Sequence, residues 1–392
     1  MALPPPFSTT VHPFTSPTSP QAYSCAYERG NPSSRNALIY IGGLTSGPHT
    51  TLELLNTLLS FLDDTGLGYS IWEARMRSSF TGWGYSSLEN DVEDIAALVK
   101  YLGRLGKERV VLLGSSTGCQ DCMKYMKALE TGAPEITACI LQAPTSDRVT
   151  AGMLMPPDFY RRTLDHSKDL IAQGNKDSIM PKDMVPEIFT SPISAYRWHS
   201  LIAKGGDDDY FSDDLDDAGL ATTFGRISRP TLIMPSENDE MMPSAFPKQV
   251  LLQRWIRASP GGLSNSELPP FSTQLSSLLT APRNLTHQPK SSCAASQQPA
   301  TQHVAASRTS FPGQSLAAAS TGAGGTSELT TGSNAITQSS MPAINGSCAE
   351  LSMDVRIEAP GGVLRTRLTR GTGYRVVQLA TALFLKDTAR QG

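Results

Sequence analysis

Residues 110–118 constrain the fold of this chain more than any other stretch. Val110-Val-Leu-Leu113 is a short apolar run of the kind that makes a fully buried strand; it breaks at Gly114, and Gln120 to Leu129 continues as helix with Met123, Met126 and Leu129 inward. The join, Gly114-Ser-Ser-Thr-Gly118, is a G-x-S-x-G sequence between strand and helix. A turn that sharp forces backbones together and the central residue into strained dihedrals, so glycines flank it and its side chain stands above the sheet. That residue is Ser116, not Ser115. The bland alternative is an ordinary tight turn between strand and helix.

The neighbouring sequence repeats the rhythm. Ala37-Leu-Ile-Tyr-Ile41 reads as a buried strand feeding Gly42-Gly43, Leu52 to Leu62 as helix, and Tyr69-Ser-Ile-Trp-Glu73 as strand. Val92, Ile95, Ala96, Val99 and Leu102 recur at helical spacing behind Ser87 and Asn90, either of which can cap that helix. Ile136 to Leu141 supplies another strand, and strands alternating with helices over short connections specify a parallel sheet with right-handed crossovers. Between Gln142 and Arg229 the rhythm stops, Pro230-Thr-Leu-Ile-Met-Pro235 restores it, and Lys248 to Arg257 reads as helix.

The expected fold class is therefore α/β, an α/β-hydrolase fold with a mostly parallel sheet and a helical cap insertion. Residues 1–21, rich in Pro, Ser and Thr, are expected to be a flexible arm; 22–258 the hydrolase domain with its cap at about 145–228; and 259–392 a low-complexity, mostly disordered tail. Within that tail Val376 to Leu385 is apolar enough for a helix at 374–386. Hydrophobic residues make up 39% of the 392, enough for a sizeable core, and the net charge of −3 supplies no basic field for nucleic acid. No run reaches the ~18 apolar residues of a membrane span, and the N-terminus lacks a signal-peptide pattern, so a cytoplasmic protein is expected. Six scattered cysteines do not resemble a disulfide framework.

Acyl transfer needs a nucleophile, a base, an acid that orients the base, and donors for the developing oxyanion. Ser116 is the candidate nucleophile; the N–H groups of Thr117 and of Leu44, in the Ile41-Gly-Gly-Leu-Thr-Ser-Gly47 loop, are the candidate oxyanion hole. Asp239, in Pro235-Ser-Glu-Asn-Asp-Glu240 after a late strand, is the candidate acid, with Glu237 as its rival. In the order Ser, acid, His, only His287 and His303 follow Asp239; His287 is preferred, although no strand pattern precedes it. His49, His166 and His199 precede the acid and are read as cap or surface residues. Cys119-Gln-Asp-Cys122 lacks the second pair a zinc site needs and is read as buried thiols; no metal or cofactor is expected. The acidic run Asp207 to Asp217 is either a solvated cap edge or an attractor of amine-bearing substrates.

Tyr40-Ile-Gly-Gly-Leu44, Ser79-Phe-Thr-Gly-Trp-Gly84, Gly114-Ser-Ser-Thr-Gly-Cys-Gln-Asp121, Ala195-Tyr-Arg-Trp198, the Asp-Asp-Tyr-Phe-Ser run at 208–212 and Pro235 to Glu240 together resemble one fungal and plant family of α/β-hydrolases that includes siderophore esterases. The resemblance covers roughly Tyr23 to Ile256. It implies hydrolysis of ester bonds in a small molecule, with fusarinine-type hydroxamate siderophores such as fusarinine C or triacetylfusarinine C as candidate substrates, and carries Ser116 and Asp239 over as nucleophile and acid. The family's histidine follows a further strand and precedes a closing helix; here a Ser/Ala-rich stretch stands in that place. The competing expectation is a catalytically impaired hydrolase-fold protein that binds ligand without turning it over.

Overall fold

The computed structural model describes residues 5–16, 23–236, 239, 241–243, 245–260, 354–359, 362–367, 381 and 384–385, with backbone alone between 354 and 367. The chain divides into two units, Met1–Leu279 with Ser347–Gly392, and Thr280–Gly346, the second of which lies outside the described residues.

One seven-stranded sheet organises the first unit. Its strands are β1 (Thr10–Thr15), β2 (Tyr23–Arg29), β3 (Asn36–Ile41), β4 (Tyr69–Ala74), β5 (Arg109–Ser115), β6 (Ala138–Gln142) and β7 (Thr231–Met234), in the order β1-β2-β4-β3-β5-β6-β7. From β4 to β7 the pairs are parallel; β1 and β2 add an antiparallel edge. Every residue of β3, β4 and β6 is buried, because helices cover both faces of a parallel sheet.

Alternation along the strands sorts the core into two layers. Ile39 and Leu112 face α2 (Leu88–Arg104) and α3 (Gly118–Leu129), against Ile95, Leu98, Met123 and Met126. Leu38, Val111, Leu113 and Ile140 face Leu54, Leu55, Leu58 and Leu62 of α1 (Leu52–Thr65). Each such side chain, fully buried, contributes roughly 1.5–3 kcal/mol. Ser87 is the residue that caps α2, its Oγ accepting the Asn90 N–H at 3.2 Å.

One expectation is corrected at the N-terminal end of the chain. Residues 10–15 are a strand rather than part of a flexible arm: they pair with β2 from Thr10↔Glu28 to Thr15↔Tyr23, and Phe14 is buried in the core. Thr10, Val11 and Thr15 favour extended backbone, and Pro13 is tolerated because β1 is an edge strand. Within the stretch after 259, expected to be mostly disordered with a helix at 374–386, the described residues are 260, 354–359, 362–367, 381 and 384–385. Asp354–Ala359 (β8) pairs antiparallel with Gly362–Arg367 (β9) in a register closing at Ala359↔Gly362. Thr381, Phe384 and Leu385 are helical, and the latter two are buried in the α1 layer beside Met234. The rest of the 374–386 helix lies outside the described residues.

Between β6 and β7 the chain runs through α4 (Asp147–Leu154), α5 (Pro157–Ala172), α6 (Ala195–Ile202) and α7 (Asp217–Thr222). After β7, α8 (Lys248–Ala258) buries Leu251 and Trp255. Among the described residues no helix is long and apolar enough to cross a membrane.

Candidate active site

Ser116 follows β5 with φ at +54°, the left-handed conformation that a bulky residue adopts only when its surroundings dictate it. Its N–H donates to the Gln142 carbonyl at the end of β6, 3.0 Å away, and its own carbonyl accepts from Cys119 N at 2.9 Å. A Cβ at Gly114 would lie 2.3 Å from the Gly118 carbonyl oxygen, and one at Gly118 would lie 2.3 Å from that of Ile41. Glycine at both positions is thus required by close approach. Ser115 is occupied elsewhere, its Oγ donating to Gln142 Oε1 at 2.6 Å.

The loop after β3 meets the elbow. A Cβ placed on Gly43 would fall 2.9 Å from Ser116 Cβ and 3.3 Å from its Oγ, so the backbone before Leu44 runs directly against the serine. Thr117 caps α3, and among the described residues no carbonyl accepts the N–H of Leu44 or Thr117. Two amide donors near one serine Oγ can hold a developing oxyanion. Gly43→Ala is expected to reduce ester turnover on the order of 10²-fold, since displacements of about 1 Å cost that much, while the circular dichroism spectrum stays unchanged. Steady-state kinetics of the purified variant check it.

A cavity of about 370 Å³ opens over Ser116. Tyr40, Ser46, Thr51, Thr145 and Asp147 form its polar side; Leu154, Met155, Ile188, Phe189, Trp198, Leu201 and Ile202 form an apolar wall. The segment between β6 and β7 is therefore greasier where it faces the serine than its composition indicates. The reason is helical spacing: Trp198, Leu201 and Ile202 share one face of α6, while exposed polar residues elsewhere in the segment, such as Arg161, Arg162 and Asp165 of α5, dilute them in the average.

Asp239 follows β7 and comes within hydrogen-bond reach of the cavity lining: Thr145 Oγ1 donates to its Oδ2 at 3.4 Å, and Met241 N donates to its Oδ1 at 3.0 Å. Glu237, His287 and His303 lie outside the described residues. The described histidines sit apart from the cavity lining. His12 contacts Glu28 at 3.1 Å, His49 contacts Glu73 at 3.2 Å, and His166 and His199 lie in α5 and α6. The structure thus brings Ser116, Leu44, Thr117, Thr145 and Asp239 to one end of the sheet.

Behind this site lies a buried charge cluster that sequence inspection did not anticipate. Arg197 of α6, 5% exposed, donates Nη1 to Asp208 Oδ2 at 2.5 Å and Nε to the Trp83 carbonyl at 3.1 Å. Asp91, Asp121 and Asp147 face the same guanidinium. Burial pushes the carboxyls of Asp121 and Asp147 well above the usual range; Gln120 Nε2 donates to Asp147 Oδ2 at 2.6 Å. The 207–217 run is split: Asp208 and Asp209 are buried, while Asp207, Asp213, Asp214, Asp216 and Asp217 lie on an exposed edge. Asp208 is held by Arg197 and Ser200, Asp209 and Asp214 by Arg148, Asp207 by Tyr196, and Asp216 caps α7. The signal was present: Ala195-Tyr-Arg-Trp198 and the run at 208–212 are the two halves of one ion pair. Cys119, Cys122 and Cys139 are buried free thiols.

Sheet, elbow and excursion define an α/β-hydrolase. The chain belongs to the family described as "Protein of unknown function (DUF1749)", whose pattern it matches over residues 1–269. It is 31% identical over 251 residues to UPF0613 protein PB24D3.06c of Schizosaccharomyces pombe, covering 60% of this chain and 78% of that one. It is 27% identical over 273 residues to the fusarinine C esterase sidJ of Aspergillus fumigatus, covering 57% and 76%. Among solved structures it is similar to the siderophore hydrolase EstB from Aspergillus fumigatus, with a TM-score of 0.52, 25% identity, and coverage of 65% of this chain and 84% of that one.

Proposed function

We propose that this protein is a serine hydrolase that cleaves carboxylic ester bonds in small molecules, with hydroxamate siderophores such as fusarinine C or triacetylfusarinine C as candidate substrates. The observation that carries the reading is Ser116 at φ +54°, lining the cavity that Leu44 and Thr117 also line. Ser116 attacks the ester carbonyl, the Leu44 and Thr117 amides receive the oxyanion, the ester C–O bond breaks as the alcohol leaves with the proton taken from Ser116, and water then hydrolyses the acyl-enzyme to the free acid. His287 takes the serine proton and Asp239 orients it. The fusarinine C esterase and siderophore hydrolase relatives support the substrate class. Buried, unpaired thiols at Cys119, Cys122 and Cys139 support a cytoplasmic setting.

The test is hydrolysis of p-nitrophenyl acetate and of fusarinine C by full-length protein, with His287→Ala and His303→Ala in parallel. Turnover lost in His287→Ala and kept in His303→Ala supports the assignment. Inactivity of the folded wild-type protein toward both esters supports the competing reading, a hydrolase scaffold that binds without catalysis.

A further inference from the structure

Five non-glycine residues hold a positive φ among the described residues, and Ser116 is one of them. Three of the others, Thr45 at +67°, His49 at +71° and Phe80 at +59°, lie in or against the loop that joins β3 to α1 and carries Leu44. Threonine is branched at Cβ, so Thr45 is a clear outlier, and such backbone persists only where its surroundings over-determine it. Within the loop, Ser46 N donates to the Gly43 carbonyl at 3.0 Å and Thr50 N to that of Gly47 at 3.2 Å. Those turns shape the loop locally but do not fasten it to the sheet.

Two anchors come from outside it. Phe80 N donates to the Ser46 carbonyl at 2.9 Å. The other is Glu73 of β4, 3% exposed and paired in register with Tyr40 of β3. Its Oε1 accepts the His49 N–H at 2.9 Å. Its Oε2 lies 3.2 Å from His49 Nδ1 but is buried without a hydrogen bond among the described residues, so that contact is electrostatic rather than directional. Around the His49 ring, Phe7 stands edge-on at 5.3 Å between centroids and Tyr27 at 4.6 Å, while Phe7 also lies under the Arg29 guanidinium at 4.9 Å.

A mere covering role does not account for this carboxylate. Burial pushes the Glu73 carboxyl up, with His49 and Arg29 pulling the other way, and an apolar side chain would cover the sheet without that desolvation. What glutamate supplies here and leucine cannot is an acceptor for the His49 N–H. We infer that Glu73 is a positioning residue: by anchoring His49 it fixes the loop so that the Leu44 amide meets the oxyanion formed when Ser116 attacks. This rests on the serine-hydrolase reading above.

The experiment follows p-nitrophenyl acetate hydrolysis and hydrogen–deuterium exchange in full-length wild type, Glu73→Gln, Glu73→Ala and His49→Asn. Glu73→Ala is expected to lower kcat on the order of 10²-fold, with KM within about twofold, because a displaced oxyanion donor weakens the transition state and not substrate binding. Glu73→Gln, whose amide oxygen still accepts the His49 N–H, should stay within about threefold of wild type. His49→Asn keeps the N–H and tolerates the left-handed backbone but loses the ring contacts, and should lose about tenfold in kcat. Exchange in Glu73→Ala should quicken over residues 42–51 while β3 and β5 stay protected. A wild-type kcat in Glu73→Ala, a loss confined to KM, Glu73→Gln as damaged as Glu73→Ala, or exchange raised evenly across the sheet overturns the inference. Should Glu73→Ala not fold, His49→Asn decides, and wild-type kcat and exchange there overturn it. If the wild type hydrolyses no ester, loosening confined to 42–51 upholds the anchor while the hydrolase reading falls; unchanged exchange removes both.

Discussion

Ser116→Ala is expected to abolish ester hydrolysis by the full-length protein, lowering kcat on the order of 10⁶-fold, with a melting temperature within about 2 °C of the wild type. The size of the loss follows from the nucleophile's place in a unit. Without its Oγ no acyl-enzyme forms, and only the oxyanion amides and the binding cavity remain, which in comparable sites retain perhaps 10³–10⁴ over the uncatalysed rate. The fold should hardly notice. The turn is held by the Ser116 N–H on Gln142, by the Cys119 N–H on Ser116 and by the glycines at 114 and 118, none of which involves the serine hydroxyl. Side-by-side kinetics and thermal melts read both halves; wild-type turnover surviving in Ser116→Ala would mean that another group does the chemistry.

Arg197→Ala should be the most damaging single change outside the elbow, destabilising the protein by about 3–5 kcal/mol, because removing one partner of a buried pair strands the other charge. Arg197 joins α6 to the Trp83 carbonyl and Asp208, and its field reaches Asp121 on the helix that begins behind Ser116. Lysine should rescue little of this, since a point charge cannot serve both directions at once. Urea denaturation of Arg197→Ala, Asp208→Asn and the double variant checks the account. The double variant should cost at least about 1 kcal/mol less than the sum of the singles. Additivity would show that the pair is not coupled.

What the sequence reveals and what it hides divide along the range of the interactions. The strand–turn–helix at 110–118 is legible because its constraints are local: a buried apolar run, two glycines at close approach and an inward stripe of Met123 and Met126. β1 is hidden because its stability comes from pairing with β2, whose partner residues lie beyond a Pro- and Ser-rich connection, and because Pro13 argues against a strand anywhere but at an edge. Phe384 and Leu385 belong to the α1 layer although well over a hundred residues separate them from β7, a distance across which periodicity carries no information. The Asp207–Asp217 run is misleading for a related reason. Acidic runs are usually solvated, as Asp207, Asp213, Asp214, Asp216 and Asp217 are here, but Arg148 and Arg197, distant in sequence or on another element, draw Asp208 and Asp209 inside. At the site, Ser116, Leu44 and Thr117 follow from motif geometry, whereas Thr145 and the Arg197 cluster emerge only when the segment between β6 and β7 folds over the serine.

The central claim is that Ser116 is an activated nucleophile, and the most direct test is incubation of the folded full-length protein with a fluorophosphonate, followed by intact-mass measurement and peptide mapping. The account predicts one adduct per chain on the peptide carrying Ser116, absent from Ser116→Ala. A folded protein that stays unmodified, or that carries its adduct on another residue, would contradict it.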